Sequence, residues 1–126
     1  MTTTAHKKAR SPEDITTLFV ARLNERDADG MAELYAPEAV MAYPPGTTTV
    51  GRDAIRDVLA QLAAHARLPV PEEESLPALR YGDLALTSTP SKDGTGIRVQ
   101  VTQRQPDGSW LRVIDRPESR SAAKGH

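Results

Sequence analysis

The sequence predicts an α+β domain in which three helices come first and pack on one face of a strongly bent, mainly antiparallel sheet. Three observations predict it. Up to Pro69 the apolar residues recur at spacings of three and four, and beyond it they alternate with period two. Turn-forming clusters, Pro44-Pro45-Gly46, Gly82-Asp83 and Pro106-Asp107-Gly108-Ser109, fall between the segments.

Ser11-Pro12-Glu13-Asp14 reads as a helix start, with a hydroxyl to cap free amides, proline at the first helical position and acids where the dipole favours them. Ile15, Leu18, Phe19 and Leu23 then form one buried stripe, with Arg22, Glu25 and Arg26 near or beyond its edges. Asp27 caps a second, shorter helix in which Met31, Leu34 and Tyr35 share a face and which Pro37 ends. Glu38 to Tyr43 follows as a strand, and Thr47 to Val50 returns as a short second one. Gly51-Arg52-Asp53 opens a third helix with Ile55, Val58, Leu59 and Leu62 on its apolar stripe and Pro69 as its limit.

Pro71 to Tyr81, broken by Pro71, Pro77 and Glu72-Glu73-Glu74, is at best an irregular or edge strand. Leu84, Leu86 and Ser88 alternate with Ala85, Thr87 and Thr89; Ile97, Val99 and Val101 alternate with Arg98, Gln100 and Thr102. A hairpin turn leads into Trp110 to Arg116, where alternation sets Leu111, Val113 and Asp115 on one face and Trp110, Arg112 and Ile114 on the other.

The chain of 126 residues fits one domain, read as residues 11–117 between disordered tails at 1–10 and 118–126. With no cysteine there is no disulfide, thiolate metal site or cysteine nucleophile. Sixteen basic residues against 17 acidic ones leave a net charge of -1 without long blocks of either sign, so no nucleic-acid partner is expected. No apolar run approaches the ~20 residues of a membrane span and the first residues lack a signal-peptide core, which points to a cytoplasmic protein with no membrane partner. His6, His65 and His126 stand apart from one another, Glu72 to Glu74 read as a solvated loop, and no metal or cofactor is expected.

FVARLNERDADGMAELYAPEAVMAYPPG from Phe19 to Gly46, VGRDAIRDVLAQL from Val50 to Leu62, GDLAL from Gly82 to Leu86 and QPDGSWLRVIDRP from Gln105 to Pro117 resemble the nuclear transport factor 2-like superfamily, in its SnoaL-like and ketosteroid-isomerase-like branch. The resemblance implies a cone whose curved sheet closes on the helices around a ligand cavity, often with dimer contacts through the outer sheet face. It implies no single function. The isomerase's tyrosine falls on Phe19, its base on Tyr43 and its acid near Val101, so all three of its catalytic groups are lost here.

Asp115 is the acid left to work with. If it faces the cone with Leu111 and Val113, desolvation would suit it to proton transfer; the plainer role is a strand-end carboxylate paired with Arg116 or a backbone amide. Tyr43 is a second catalytic candidate as an orienting hydroxyl, or else an aromatic wall. Phe19, Tyr35, Tyr43, Val101 and Val113 are the expected ligand-binding wall. Trp110 is expected on the outer face as a dimer contact, and Arg98, Gln100, Thr102, Arg104 and Arg112 as a polar outer surface. The expected ligand is an apolar or polyketide-like small molecule held by a homodimer, with cofactor-independent isomerase or cyclase chemistry if the protein is an enzyme. The alternative is a non-catalytic ligand- or partner-binding module. Epoxide opening, which in related folds uses carboxylates with an arginine, comes last because Asp115 is the one inward acid.

Overall fold

A computed structural model describes residues 6–71, 74–91 and 94–117. The expected tail 118–126, with His126, lies outside them, as do Glu72 and Glu73 of the acidic loop. Three helices, α1 (Pro12–Asn24), α2 (Ala28–Ala32) and α3 (Arg52–His65), cover one face of a sheet built from β1 (Tyr35–Met41), β2 (Thr49–Val50), β3 (Leu79–Tyr81), β4 (Leu84–Pro90), β5 (Ile97–Arg104) and β6 (Trp110–Arg116). The strand order is β2-β1-β6-β5-β4-β3; every pairing is antiparallel except β1 with β6. This is the expected α+β cone.

The helix starts follow the sequence reading. Ser11 Oγ accepts from the Asp14 amide at 3.1 Å, and Asp27 Oδ1 accepts from the Gly30 amide at 2.9 Å. Gly51 caps α3 with φ 94°, a conformation that favours glycine. Ile15, Met31, Leu34, Ile55 and Leu59 are all buried where the helices meet the sheet, each worth roughly 1.5–3 kcal/mol by transfer from water.

Four expectations are corrected. The second helix stops at Ala32, and Leu34 and Tyr35 leave it for the sheet, because Leu34 O accepts from the Arg112 amide at 2.8 Å and Tyr35 pairs with Arg112. Pro37 therefore sits inside β1, in the irregular stretch between the Tyr35 and Val40 pairings where the ladder asks it for no donor. Arg22 is buried, not at the helix edge: its guanidinium donates to the carbonyls of Gly30, at 2.7 Å, and of Lys7. Residues 6–10 are correspondingly not a loose tail. Ala9 is 1% exposed and its carbonyl accepts from the Trp110 amide at 3.0 Å, while His6 lies between Asp27 (2.6 Å) and Glu33 (2.7 Å).

The fourth correction decides the site. Thr102 pairs with Arg112 and Val101 with Ile114, so one step along β5 matches two along β6 and Val113 is the extra residue of a β-bulge. The bulge shifts the alternation by one. Trp110, Arg112 and Asp115 are buried together on the inner face, and Ile114 is 53% exposed on the outer one. Trp110, expected as an outer dimer contact, belongs to the core.

Strands β4 and β5 are turned the same way. Ala85, Thr87 and Thr89 face inward with Gln100 and Thr102, whereas Leu86 pairs with Val101 on the outside. The polar face can go inward because its groups find partners there: Thr87 Oγ1 donates to Gln100 Oε1 at 2.9 Å, and the Thr89 and Ser75 hydroxyls meet at 2.7 Å. Of the residues expected on a polar outer surface, only Arg104 is exposed, paired with Asp83.

Candidate functional site

Between α1, α3 and the inner sheet face lies a cavity of about 500 Å³, within the range of small-molecule sites. Phe19 and Leu23 of α1 and Val58, Leu59 and Leu62 of α3 give it an apolar wall. Val70 and Pro71 continue that wall. Asn24 fixes them through a two-way bond with the backbone of Val70, Nδ2 donating to its carbonyl at 3.1 Å and Oδ1 accepting from its amide at 2.7 Å.

The opposite wall holds a polar cluster delivered by three strands. Asp115, 2% exposed, accepts at Oδ2 from the Tyr35 hydroxyl (2.5 Å) and at Oδ1 from Gln100 Nε2 (3.1 Å). Gln100 is itself oriented by Thr87. Arg112 Nη1 donates to the Tyr35 hydroxyl at 3.3 Å and stands 3.7 Å from Asp115 Oδ2. Its guanidinium lies over the rings of Phe19 at 4.8 Å and Tyr35 at 5.7 Å. Arg52, at the start of α3, grips the Tyr35 carbonyl with Nε at 2.9 Å and Nη2 at 2.7 Å, which anchors the end of β1 that carries the tyrosine.

The electrostatics follow from burial. Burial, then the negative charge of Asp115, holds the Tyr35 phenol well above its ordinary range, so it stays a hydrogen-bond donor at any working pH. Burial pulls the Arg112 guanidinium down, but Tyr35 and Asp115 more than offset this and keep it charged. The cluster is thus an arginine-carboxylate pair bridged by a neutral tyrosine. Both side chains hydrogen-bonded to Asp115, Tyr35 and Gln100, donate to it, leaving a carboxylate fixed in orientation at the cavity wall.

Of the expected wall residues, Phe19, Tyr35 and Tyr43 border the cavity with Asp115. Val101 and Val113 do not: Val101 sits on the outer face and Val113 in the bulge, so Gln100 and Arg112 take the inner places instead. Asp115 is inward, although not in the company of Leu111 and Val113. Sequence reasoning missed Arg112, Gln100 and Thr87, and it saw Tyr35 as an aromatic ring without a role for its hydroxyl. The usable signal was chemical: Gln100 stands between Val99 and Val101, and Arg112 lies three residues before Asp115 in the same strand, a charge pair that can share a face if the strand bulges. Among the described residues no cluster of three or more His, Cys, Asp or Glu side chains could hold a metal ion.

Comparison with curated proteins gives no match. Among solved structures, the chain is similar to an NTF2-like protein of unknown function from Pseudomonas putida KT2440, at 17% identity, covering 89% of this chain and 86% of that one with a TM-score of 0.67. It is also similar to a domain of unknown function with a cystatin-like fold from Nostoc punctiforme PCC 73102 (17% identity, 88% and 75% covered, TM-score 0.69). A ketosteroid isomerase-like protein from Erwinia carotovora atroseptica aligns at 16% identity over 82% of this chain and 89% of that one, with a TM-score of 0.61. At these identities the likeness speaks for the fold. The model of the SnoaL-like domain matches residues 16–115, which take in most of α1, all of α2 and α3 and reach the buried aspartate of β6, and the chain therefore belongs to the SnoaL-like family.

Proposed function

We propose that this protein binds an apolar or polyketide-sized small molecule inside its cone and that Asp115 moves a proton on it, in isomerase or cyclase chemistry that needs no cofactor. The observation that carries the reading is the meeting of one buried carboxylate with a cavity of about 500 Å³ whose other wall is apolar. Tyr35 and Gln100 hold both carboxylate oxygens in place, so little reorganisation is needed when a proton is exchanged. Tyr43, at the cavity wall, serves as the orienting group. We place the protein in the cytoplasm; no helix among the described residues is long and apolar enough to cross a membrane.

The test begins with native mass spectrometry of the purified protein and identification of any molecule released on unfolding, followed by turnover on that scaffold. Asp115→Asn should keep the ligand and lose about 100-fold or more in turnover. The fold has a way to accept the change, since Gln100 can rotate its amide to offer Oε1 to the new amide while Thr87 becomes the acceptor. Asp115→Glu, which keeps the charge beside Arg112, serves as the control for folding. Full turnover in a folded Asp115→Asn protein would remove the residue from the chemistry.

A second reading has its own support. Both Asp115 oxygens already accept hydrogen bonds, as expected of a structural carboxylate, and the outer sheet face carries an apolar row suited to a partner. On this reading the protein is a non-catalytic, homodimeric binding module. A ligand recovered unchanged after prolonged incubation, with equal affinity for wild type and Asp115→Asn, would favour it.

A further inference from the structure

Arginine carries five N–H donors, and Arg112 has a hydrogen-bond partner for one. Its contact with Asp115, at 3.7 Å, is a charge contact too long for a hydrogen bond. Its Nε is buried with no partner at all. Yet the residue is 4% exposed, borders the cavity and has its guanidinium 4.8 Å from the centre of the Phe19 ring and 5.7 Å from that of Tyr35, so the cavity is where a further acceptor can reach it. A buried cation short of acceptors is a destabilising feature that calls for a reason; Nε is closed off from the cavity as well, so a ligand at the cavity wall supplies that reason by accepting from the Nη donors.

We propose that Arg112 is the recognition residue of the cavity and donates to a neutral, carbonyl-type oxygen at the inner end of the ligand. This rests on the small-molecule reading above and adds the chemistry of the ligand's head. The Tyr35 hydroxyl and the Gln100 amide are committed to Asp115, which leaves the guanidinium as the unspent donor of the cluster. Arg112 and Asp115 already balance one another in charge. A ligand carboxylate would bring a second negative charge beside Asp115, and an amine a second positive charge beside Arg112; a neutral oxygen satisfies the donor without either cost. Arg98, the other cation on the wall, has an interaction of its own.

The experiment is calorimetric titration of the full chain with three probes of one ring skeleton: 1-tetralone, tetralin and 1-naphthoate. Wild type should bind 1-tetralone roughly 10-fold or more tightly than tetralin, with 1-naphthoate no better than tetralin. Arg112→Lys keeps the charge but loses the fork of donors and should shrink that preference to about 3-fold or less. The wild-type comparison stands without any variant. Equal binding of 1-tetralone and tetralin would overturn the role of Arg112 while leaving the cavity a small-molecule site, and 1-naphthoate as the tightest probe would overturn the neutral oxygen. Failure of all three to bind at their solubility limits would overturn this inference together with the reading it rests on.

Discussion

Tyr35 ties the polar cluster together with a single oxygen, donating to Asp115 and accepting from Arg112. Replacing it with phenylalanine keeps the ring against the core but leaves Asp115 one donor short and Arg112 without its acceptor. Tyr35→Phe should cost about 1–3 kcal/mol in urea unfolding; a loss below about 0.3 kcal/mol would mean that the bond does not hold the cluster. This residue also shows where sequence reading stops. Phe19 and Tyr43 could be placed on the cavity wall because a ring needs only a face, whereas the hydroxyl of Tyr35 acquires meaning through Asp115, far along the chain. The rule that polar sheet faces are wet puts Arg112 and Gln100 on the outside, and that rule fails when the polar groups satisfy one another.

At the scale of elements, the caps of α1 and α2 were legible because capping is local chemistry among three or four neighbouring residues. The packing of residues 6–10 was not. Their partners include Asp27, Glu33 and Trp110, and no short-range pattern reports a contact over such separations. Asp27 makes this junction titratable. Burial raises its carboxyl, but the Gly30 amide and His6 outweigh that and hold it below the ordinary aspartate range. A carboxyl depressed on folding contributes stability that is fully present above its unfolded pKa and is lost as pH falls through its folded one. Acid denaturation followed by circular dichroism should therefore show part of the loss just below the ordinary aspartate range, and Asp27→Asn should flatten that part of the curve. An unchanged acid limb in the variant would mean that the cap and the His6 contact do not couple to folding.

The whole molecule presents an aliphatic band on its far side. Following the pairings across the sheet, Leu79, Leu86, Val101, Ile114, Val40 and Val50 stand in one row, with Leu79 68%, Ile114 53% and Val50 61% exposed. On the homodimer proposal this row is where two copies meet, and Ile114 lies near its middle. Ile114→Glu should convert the dimer to a monomer in native mass spectrometry while leaving cavity ligands bound, since the side chain points away from the cone. A wild-type protein that is already monomeric would end the proposal. Trp110→Ala is no test of it, because that ring lies in the core and its loss would act on stability.

The bulge at Val113 also sets which substitutions the last strand can bear. Positions 110, 112 and 115 are enclosed, while 111, 113, 114 and 116 keep some access to solvent. A saturation library selected for folded protein should therefore show intolerance at intervals of two and then three along β6. The strand would keep a syncopated rhythm, in which one residue inserted out of turn lets an arginine and an aspartate three positions apart share a wall that a regular strand would deny to one of them.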